Sequence, residues 1–520
     1  MADKVSGELS TIAKGASIII IGSFASKLIT YFYRIFVARY LGPFDYGLVT
    51  MGLSVFWLTH GFTKLGFSSG IKRRVSHHLG AGTEEKIPSS MVAALSTVIP
   101  WSIVLSSLLF FSSDFLAYNF FSQPEMGKVI RIFAVAIPFR SLHTSLSSLL
   151  KGLRKVKYKT VIESFYHSTV ILLVTLLLVL TGWGVDGALY AQAFGIISSA
   201  VLILLVVEFK VYPFIGKKID NYKPELKELF KFSLPLIFAG MISKLMGHTD
   251  TLLIGFFEAS KSAGLYNAAF PTARTLTVVG GAVATMLFPT VSKMYSSGDK
   301  KFSEDVAAVA LKWIFVGSLP LFGFLTIFGQ PTMRLLFGEA YVGASVALAI
   351  LGGAYMLKNL TTHYSSFIKS EEMNSIILKI TGFAFVLNIF LNIWLIPIIG
   401  ISGAAVATAG ATAIKSLTGA VIVYKKFGVN PYRVENYLPG ILATVLAGGF
   451  VYMVSKMVFE VVPVWALFPA AAAFFLIYGI LFLLLGGLDQ QDLEVLKKAE
   501  ESLGLDLGWA KKIVRKVSPS

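Results

Sequence analysis

Seven cations stand inside apolar stretches of this 520-residue chain: Lys27, Arg34, Arg140, Lys244, Arg274, Lys358 and Lys415. On insertion scales each costs roughly 2.5–3.5 kcal/mol at the centre of a membrane helix, and such residues usually face a bundle interior or a watery cavity. Lys27, Tyr31 and Arg34 follow i, i+4, i+7 spacing and share one helix face. Lys244 and His248 share another, with Asp250 about half a turn away. Side chains of this kind can receive negative charge. The expected set that binds an anionic cargo is therefore Lys27, Tyr31, Arg34, Arg140, Lys244, Arg274, Lys358 and Lys415, with Asp250 and His248 in coupling or gating.

The competing explanation is snorkelling, in which long Lys and Arg stems carry their charge to the headgroups. For Asp250 two arrangements are open: a pair with Arg34, to which it is related by the internal repeat described below, or a local bond to Lys244 or backbone. Catalytic chemistry is not indicated. Cysteine is absent, so thiol chemistry and thiolate metal sites are excluded. His60, His143, His167, His248 and His363 lack metal-ligand spacing, and no cofactor is expected.

The elements that carry these residues follow from composition. With 55% hydrophobic and only 14% charged residues, the chain lies far from soluble averages and reads as a multi-span integral membrane protein. A helical span needs about 20 apolar residues. Fourteen candidates fall near 15–38, 46–63, 88–111, 132–150, 160–181, 184–207, 232–256, 262–290, 313–329, 341–368, 380–396, 400–424, 437–455 and 463–486. The apolar runs are continuous rather than alternating, which predicts helices and not barrel strands.

A net charge of +17 would suggest nucleic acid in a soluble chain, but here its placement gives it another meaning. Thirty-three of the 46 Lys and Arg fall on the side of the N-terminus, while the opposite side holds Arg39, Lys128, Arg131, Lys261, Arg334 and Lys456. That asymmetry, together with an even span count, puts both termini in the cytoplasm. No nucleic-acid partner is expected.

An internal repeat at an offset of 216 residues organises the spans. Gly184-Val185-Asp186-Gly187-Ala188 recurs as Gly400-Ile401-Ser402-Gly403-Ala404, and with a one-residue shift Tyr46-Gly47-Leu48 recurs as Ala263-Gly264-Leu265. Six spans per half make the two lobes parallel, related by an axis along the membrane normal. The expected fold is all-α with fourteen transmembrane helices: a leader at 1–14, an N-lobe at 15–207, an inter-lobe loop at 208–231, a C-lobe at 232–424, two extra helices within 437–486 and an amphipathic basic tail at 489–520.

The segment Val37-Ala38-Arg39-Tyr40-Leu41-Gly42-Pro43-Phe44-Asp45-Tyr46-Gly47-Leu48 resembles a signature of the prokaryotic polysaccharide transporter family. Phe232-Ser233-Leu234-Pro235-Leu236, Asp250, Ile254-Gly255 and Gly264-Leu265-Tyr266-Asn267-Ala268-Ala269 resemble its second-lobe signature. The resemblance runs over about residues 10–486 and consists of loose patterns. It implies membership of the superfamily that includes lipid-linked oligosaccharide flippases, lipid II flippases and multidrug and toxic-compound extrusion antiporters. The expectation that follows is a plasma-membrane flippase, active as a monomer, that moves a polyprenyl diphosphate-linked oligosaccharide outward by alternating access. Its partners would be that lipid, the surrounding membrane lipids and a coupling ion, H+ or Na+. A cation-coupled multidrug antiporter and a lipid II-type flippase are the alternatives.

Overall fold

Apolar side chains on the surface set the environment of this protein. Large residues such as Phe111, Phe209, Met457 and Leu484 lie open on the outside of helices in a computed structural model. Contiguous exposed apolar surface of that kind is covered by lipid, where only helices or closed barrels satisfy their own backbone. The structure describes residues 2–217, 222–278, 280–281, 300–361, 364, 367–368, 373–428, 430–488 and 492. Among them every regular element is helical.

The principal helices are α1 (Ala2–Thr63), α2 (Phe67–Gly80), α3 (Ile87–Phe111), α4 (Glu125–Gly152) and α5 (Val156–Val211). They continue with α6 (Lys223–Leu245), α7 (Thr249–Phe257), α8 (Ser260–Arg274), α9 (Lys300–Ile327) and α10 (Ser345–Leu360). The last are α11 (Asn374–Phe427), α12 (Leu438–Val458) and α13 (Leu467–Leu484). Eight helices among the described residues are long and apolar enough to cross a membrane. Val156–Val211 has 56 residues and Ser375–Lys426 has 52. At about 1.5 Å per residue either is long enough to cross a core of about 30 Å twice. The chain is a multi-pass membrane protein.

Both of those long helices break at glycine, and they break alike. Gly184 has φ 54° and ψ −135°, and Gly400 has φ 61° and ψ −140°. This left-handed region is costly for a residue with a Cβ, which explains glycine at both places. Three residues further on, a Cβ at Gly187 would lie 2.9 Å from that of Leu178, and one at Gly403 would lie 2.4 Å from the Leu395 carbonyl oxygen. The repeated Gly-x-x-Gly thus makes the same turn and the same close helix approach twice. The other copies of the repeat around 291–298 and 369–370 lie outside the described residues.

The chain forms two compact units, Met1–Gly264 and Leu265–Ser520. In the first, Phe67, Ile71, Met91, Leu149, Phe214 and Leu229 form a core that joins α2, α3, α4, α5 and α6. Its polar counterpart is a buried knot at Glu225 of α6. Arg74 of α2 donates from Nε at 2.8 Å, Ser90 of α3 donates at 2.6 Å, and His78 Nε2 lies 3.3 Å away. Burial alone would push the Glu225 carboxyl up, but the bonds from Arg74, Ser90 and His78 outweigh it and hold the group at about 2. Burial also keeps the His78 imidazole below its ordinary value despite the neighbouring carboxylate.

Still within the first unit, α1 meets residues 260–264, the start of α8, with almost no separation. A Cβ on Gly47 would fall 1.7 Å from the Ser260 carbonyl oxygen, and one on Gly264 would fall 2.0 Å from that of Pro43. Only two glycines permit that contact, and they are the pair matched by the repeat. In the second unit, Phe324, Phe328, Phe474 and Tyr478 pack α9 against α12 and α13. There Lys312 Nζ donates to Asp492 at 2.6 Å, and both residues are buried. Asp492 is the one described residue of the expected 489–520 tail; the rest of that segment lies outside the described residues, as does His363.

Candidate functional site

A cavity of about 190 Å³ opens inside the first unit, and a single cation lines it, Arg34 of α1. Thr30, Trp57, His167, Ser168 and Gln192 are among the other lining residues, and among the described residues no Asp or Glu lines it. The walls come from the two parts of α1 on either side of the break at Gly42 (φ 82°) and from α5. Arg34 is hydrogen-bonded to Tyr46, so its guanidinium is held from across that break. His167 is fixed by its Nδ1, 3.0 Å from the Gly195 carbonyl oxygen of the other half of α5. The site sets one guanidinium among mainly apolar walls of membrane helices, a setting where a Coulomb interaction is much stronger than in water.

Behind Trp57 lies a second group of charges. The Arg140 guanidinium of α4 sits 5.0 Å from the centroid of the Trp57 ring, within cation–π range. Its Nη2 donates to Glu163 Oε1 at 3.4 Å, and Lys159 Nζ is 2.7 Å from Glu163 Oε2. Arg140 is 9% exposed, and its Nε and Nη1 have no hydrogen-bond partner. His143, one turn along α4 and 1% exposed, has neither ring nitrogen bonded. His60 is instead fully engaged, its Nδ1 3.1 Å from Thr63 Oγ1 and its Nε2 3.3 Å from Thr144 Oγ1.

The expected residues separate accordingly. Arg34 lines the cavity together with Trp57, and Arg140 stands over the Trp57 ring, whereas Lys27 is exposed, Tyr31 half-buried, and neither lines the cavity. Helix α6 ends at Leu245 and α7 begins at Thr249. His248 stands at that interruption with Nδ1 3.3 Å from Ser54 Oγ of α1, and Asp250 is buried at 3% exposure. The Lys244 side chain falls outside the described residues.

In the second unit Lys358 of α10 lies within electrostatic reach of Arg274 and Lys415. Its Nζ is also 5.7 Å from the centroid of the Tyr355 ring. Arg274 and Lys358 are exposed and Lys415 half-buried, and among the described residues none of the three has a carboxylate at ion-pair distance.

The sequence reading took Asp250 as the deep carboxylate of the spans and passed over Glu163, which lies near the start of the expected span at 160–181. A signal was present in the spacing Lys159, Glu163, His167, which repeats every four residues and puts one ion pair and one imidazole on a single face.

A family model described as polysaccharide biosynthesis protein matches residues 12–295. The chain is 23% identical over 383 residues to the probable low-salt glycan biosynthesis flippase Agl15 of Haloferax volcanii, covering 74% of this chain and 77% of that protein. Its fold is similar to a lipid II flippase MurJ structure in an inward closed conformation. The TM-score is 0.71 at 18% identity, with 89% of this chain and 97% of the other covered. It is also similar to an inward-facing multidrug resistance MATE family transporter of the MOP superfamily, with a TM-score of 0.65 at 16% identity and coverage of 78% and 94%.

Proposed function

The chain belongs to the polysaccharide biosynthesis protein family, and from that premise we propose that it carries a polyprenyl diphosphate-linked oligosaccharide from the cytoplasmic to the outer leaflet. It is a flippase-type membrane transporter and not an enzyme. The observation that carries the choice of cargo is the cavity around Arg34, which bears a guanidinium and, among the described residues, no carboxylate. An anionic headgroup is attracted there, while a cationic drug is repelled. A diphosphate brings about two negative charges, and moving them outward under an inside-negative potential is favourable by roughly 4–5 kcal/mol per 100 mV. The polyprenyl tail stays in lipid, so binding needs no bond to be made or broken.

The proposal includes fourteen crossings in the plasma membrane with both termini cytoplasmic, parallel lobes at 15–207 and 232–424, and alternating access between them. The matching breaks at Gly184 and Gly400 favour that repeat. Arg34, Arg140, Arg274, Lys358 and Lys415 form the binding set proper, with Lys27, Tyr31 and Lys244 assigned to it from their helix faces. His248 and Asp250, at the interruption between α6 and α7, are assigned to gating or to coupling with H+ or Na+, and the working unit is a monomer. The same anion chemistry accommodates a lipid II-type cargo, a reading favoured by the likeness in fold to the lipid II flippase structure.

The test is reconstitution in vesicles with a labelled polyprenyl diphosphate oligosaccharide, following its appearance in the far leaflet with and without a potential. Wild-type protein is expected to move it, faster with the inside negative, and Arg34→Ala to slow it about tenfold or more. Movement that does not depend on protein rejects the reading.

A further inference from the structure

Glu163 is a carboxylate that this transport cycle has not yet used, and its setting is unusual. It sits in the π-helical turn Val161–Tyr166 of α5, a widened turn of the kind that recurs at functional sites. It faces two cations, Arg140 and Lys159, at 3.4 and 2.7 Å. Its hold on Arg140 is incomplete, because a guanidinium normally meets a carboxylate through two parallel bonds and here two of its nitrogens are unpartnered in a buried place. The Arg74–Glu225 pair of the same unit is two-pronged and closed, with Ser90 and His78 completing the carboxylate. One pair is finished; the other has donors to spare.

A carrier of anions meets a difficulty once its cargo has left. The positive charge that held the diphosphate must pass back through a closed, low-dielectric state with no cargo anion beside it, and a buried charge without a partner is costly. We propose that Glu163 is the internal counter-ion of the empty carrier, neutralising Arg140 when no anion is bound and yielding the guanidinium to a cargo phosphate when one arrives. This rests on the anionic-lipid reading above. The yielded carboxylate keeps an ion pair, since Lys159 Nζ lies 2.7 Å from its other oxygen, though without hydrogen-bond alignment. Trp57 both lines the cavity and carries Arg140 on its ring, so one side-chain movement separates the resting pair from a bound anion. His143, with both ring nitrogens unbonded, offers a further donor to the incoming group.

The experiment uses full-length protein in vesicles with a fluorescent polyprenyl diphosphate disaccharide and measures two rates. Net movement into a leaflet without substrate requires the carrier to return empty. Exchange against excess unlabelled lipid in the opposite leaflet lets it return loaded. Glu163→Gln is expected to slow net movement about tenfold while exchange stays within about twofold of wild type. Glu163→Asp, which keeps the charge, is expected to restore most of the net rate. Equal slowing of both rates by Glu163→Gln, or of neither, overturns the role. Should that variant not fold, Glu163→Asp carries the test: its shorter reach must cost net movement more than exchange, and the opposite pattern overturns the proposal. A wild-type protein that exchanges lipid but shows no net movement overturns the counter-ion role alone, whereas one that does neither overturns the functional reading and this inference with it.

Discussion

The two units hold the cations of their apolar helices in different ways. In Met1–Gly264, Arg140 has a carboxylate beside it, and Arg34 a phenol. In Leu265–Ser520, Arg274, Lys358 and Lys415 stand with no carboxylate at ion-pair distance among the described residues. Two charges in a low-dielectric interior attract far more than in water, and the buried Arg140 has its carboxylate, whereas Arg274 and Lys358 are exposed. The difference teaches that a cation is given a carboxylate where it is buried and left without one where it stays exposed.

The largest effect expected from breaking that contrast is on transport. Replacing Arg274, Lys358 and Lys415 together by Gln is expected to lower the flipping rate about a hundredfold. Thermal unfolding in detergent should be unchanged or later, since mutual repulsion is relieved. The same change at Arg140 should unfold the protein earlier, by about 1–3 kcal/mol, because Glu163 loses a buried partner. If the two substitutions shift stability in the same direction, the contrast between the units is wrong.

A middle-sized effect sharpens the comparison inside the first unit. Glu225→Gln is expected to cost about 2 kcal/mol, allowing for the partial exposure of Arg74. The sign with pH follows from the Glu225 carboxyl being held at about 2, below its usual value of about 4.3. Its stabilisation is complete above the ordinary value and is lost as pH falls through the folded one. Unfolding midpoints of wild type and Glu225→Gln should therefore differ at neutral pH and converge in strong acid. A constant gap would remove the carboxylate from the explanation.

The smallest effect concerns the twin breaks. Gly184→Ala and Gly400→Ala each force a Cβ into left-handed backbone and are expected to cost about 1–2 kcal/mol. Unequal shifts in the unfolding midpoint would mean that the two turns are alike in angle but not in load.

Much of this was legible in the chain itself. Continuous apolar runs announce membrane helices, because lipid offers the backbone no other partner. The Gly184 and Gly400 match was visible as letters and proved to be a shared backbone turn. The cations were legible one by one, because charge inside an apolar run is conspicuous. What could not be read was their company. Lys27 and Arg34 share a helix face by spacing, yet only Arg34 reaches the cavity, since that depends on where Tyr46 and α5 pack against α1. Glu163 drew no notice in the sequence, because its pairing with Arg140 depends on how α4 packs against α5.

The sequence by itself determined that this is a helical, multi-pass, cation-bearing membrane protein with an internal repeat, because composition and period act locally along the chain. Only the tertiary structure decided which cations acquire a counter-charge and which are left to attract one. Pairing depends on distances between helices far apart in sequence, such as α4 and α5, and no local pattern encodes those.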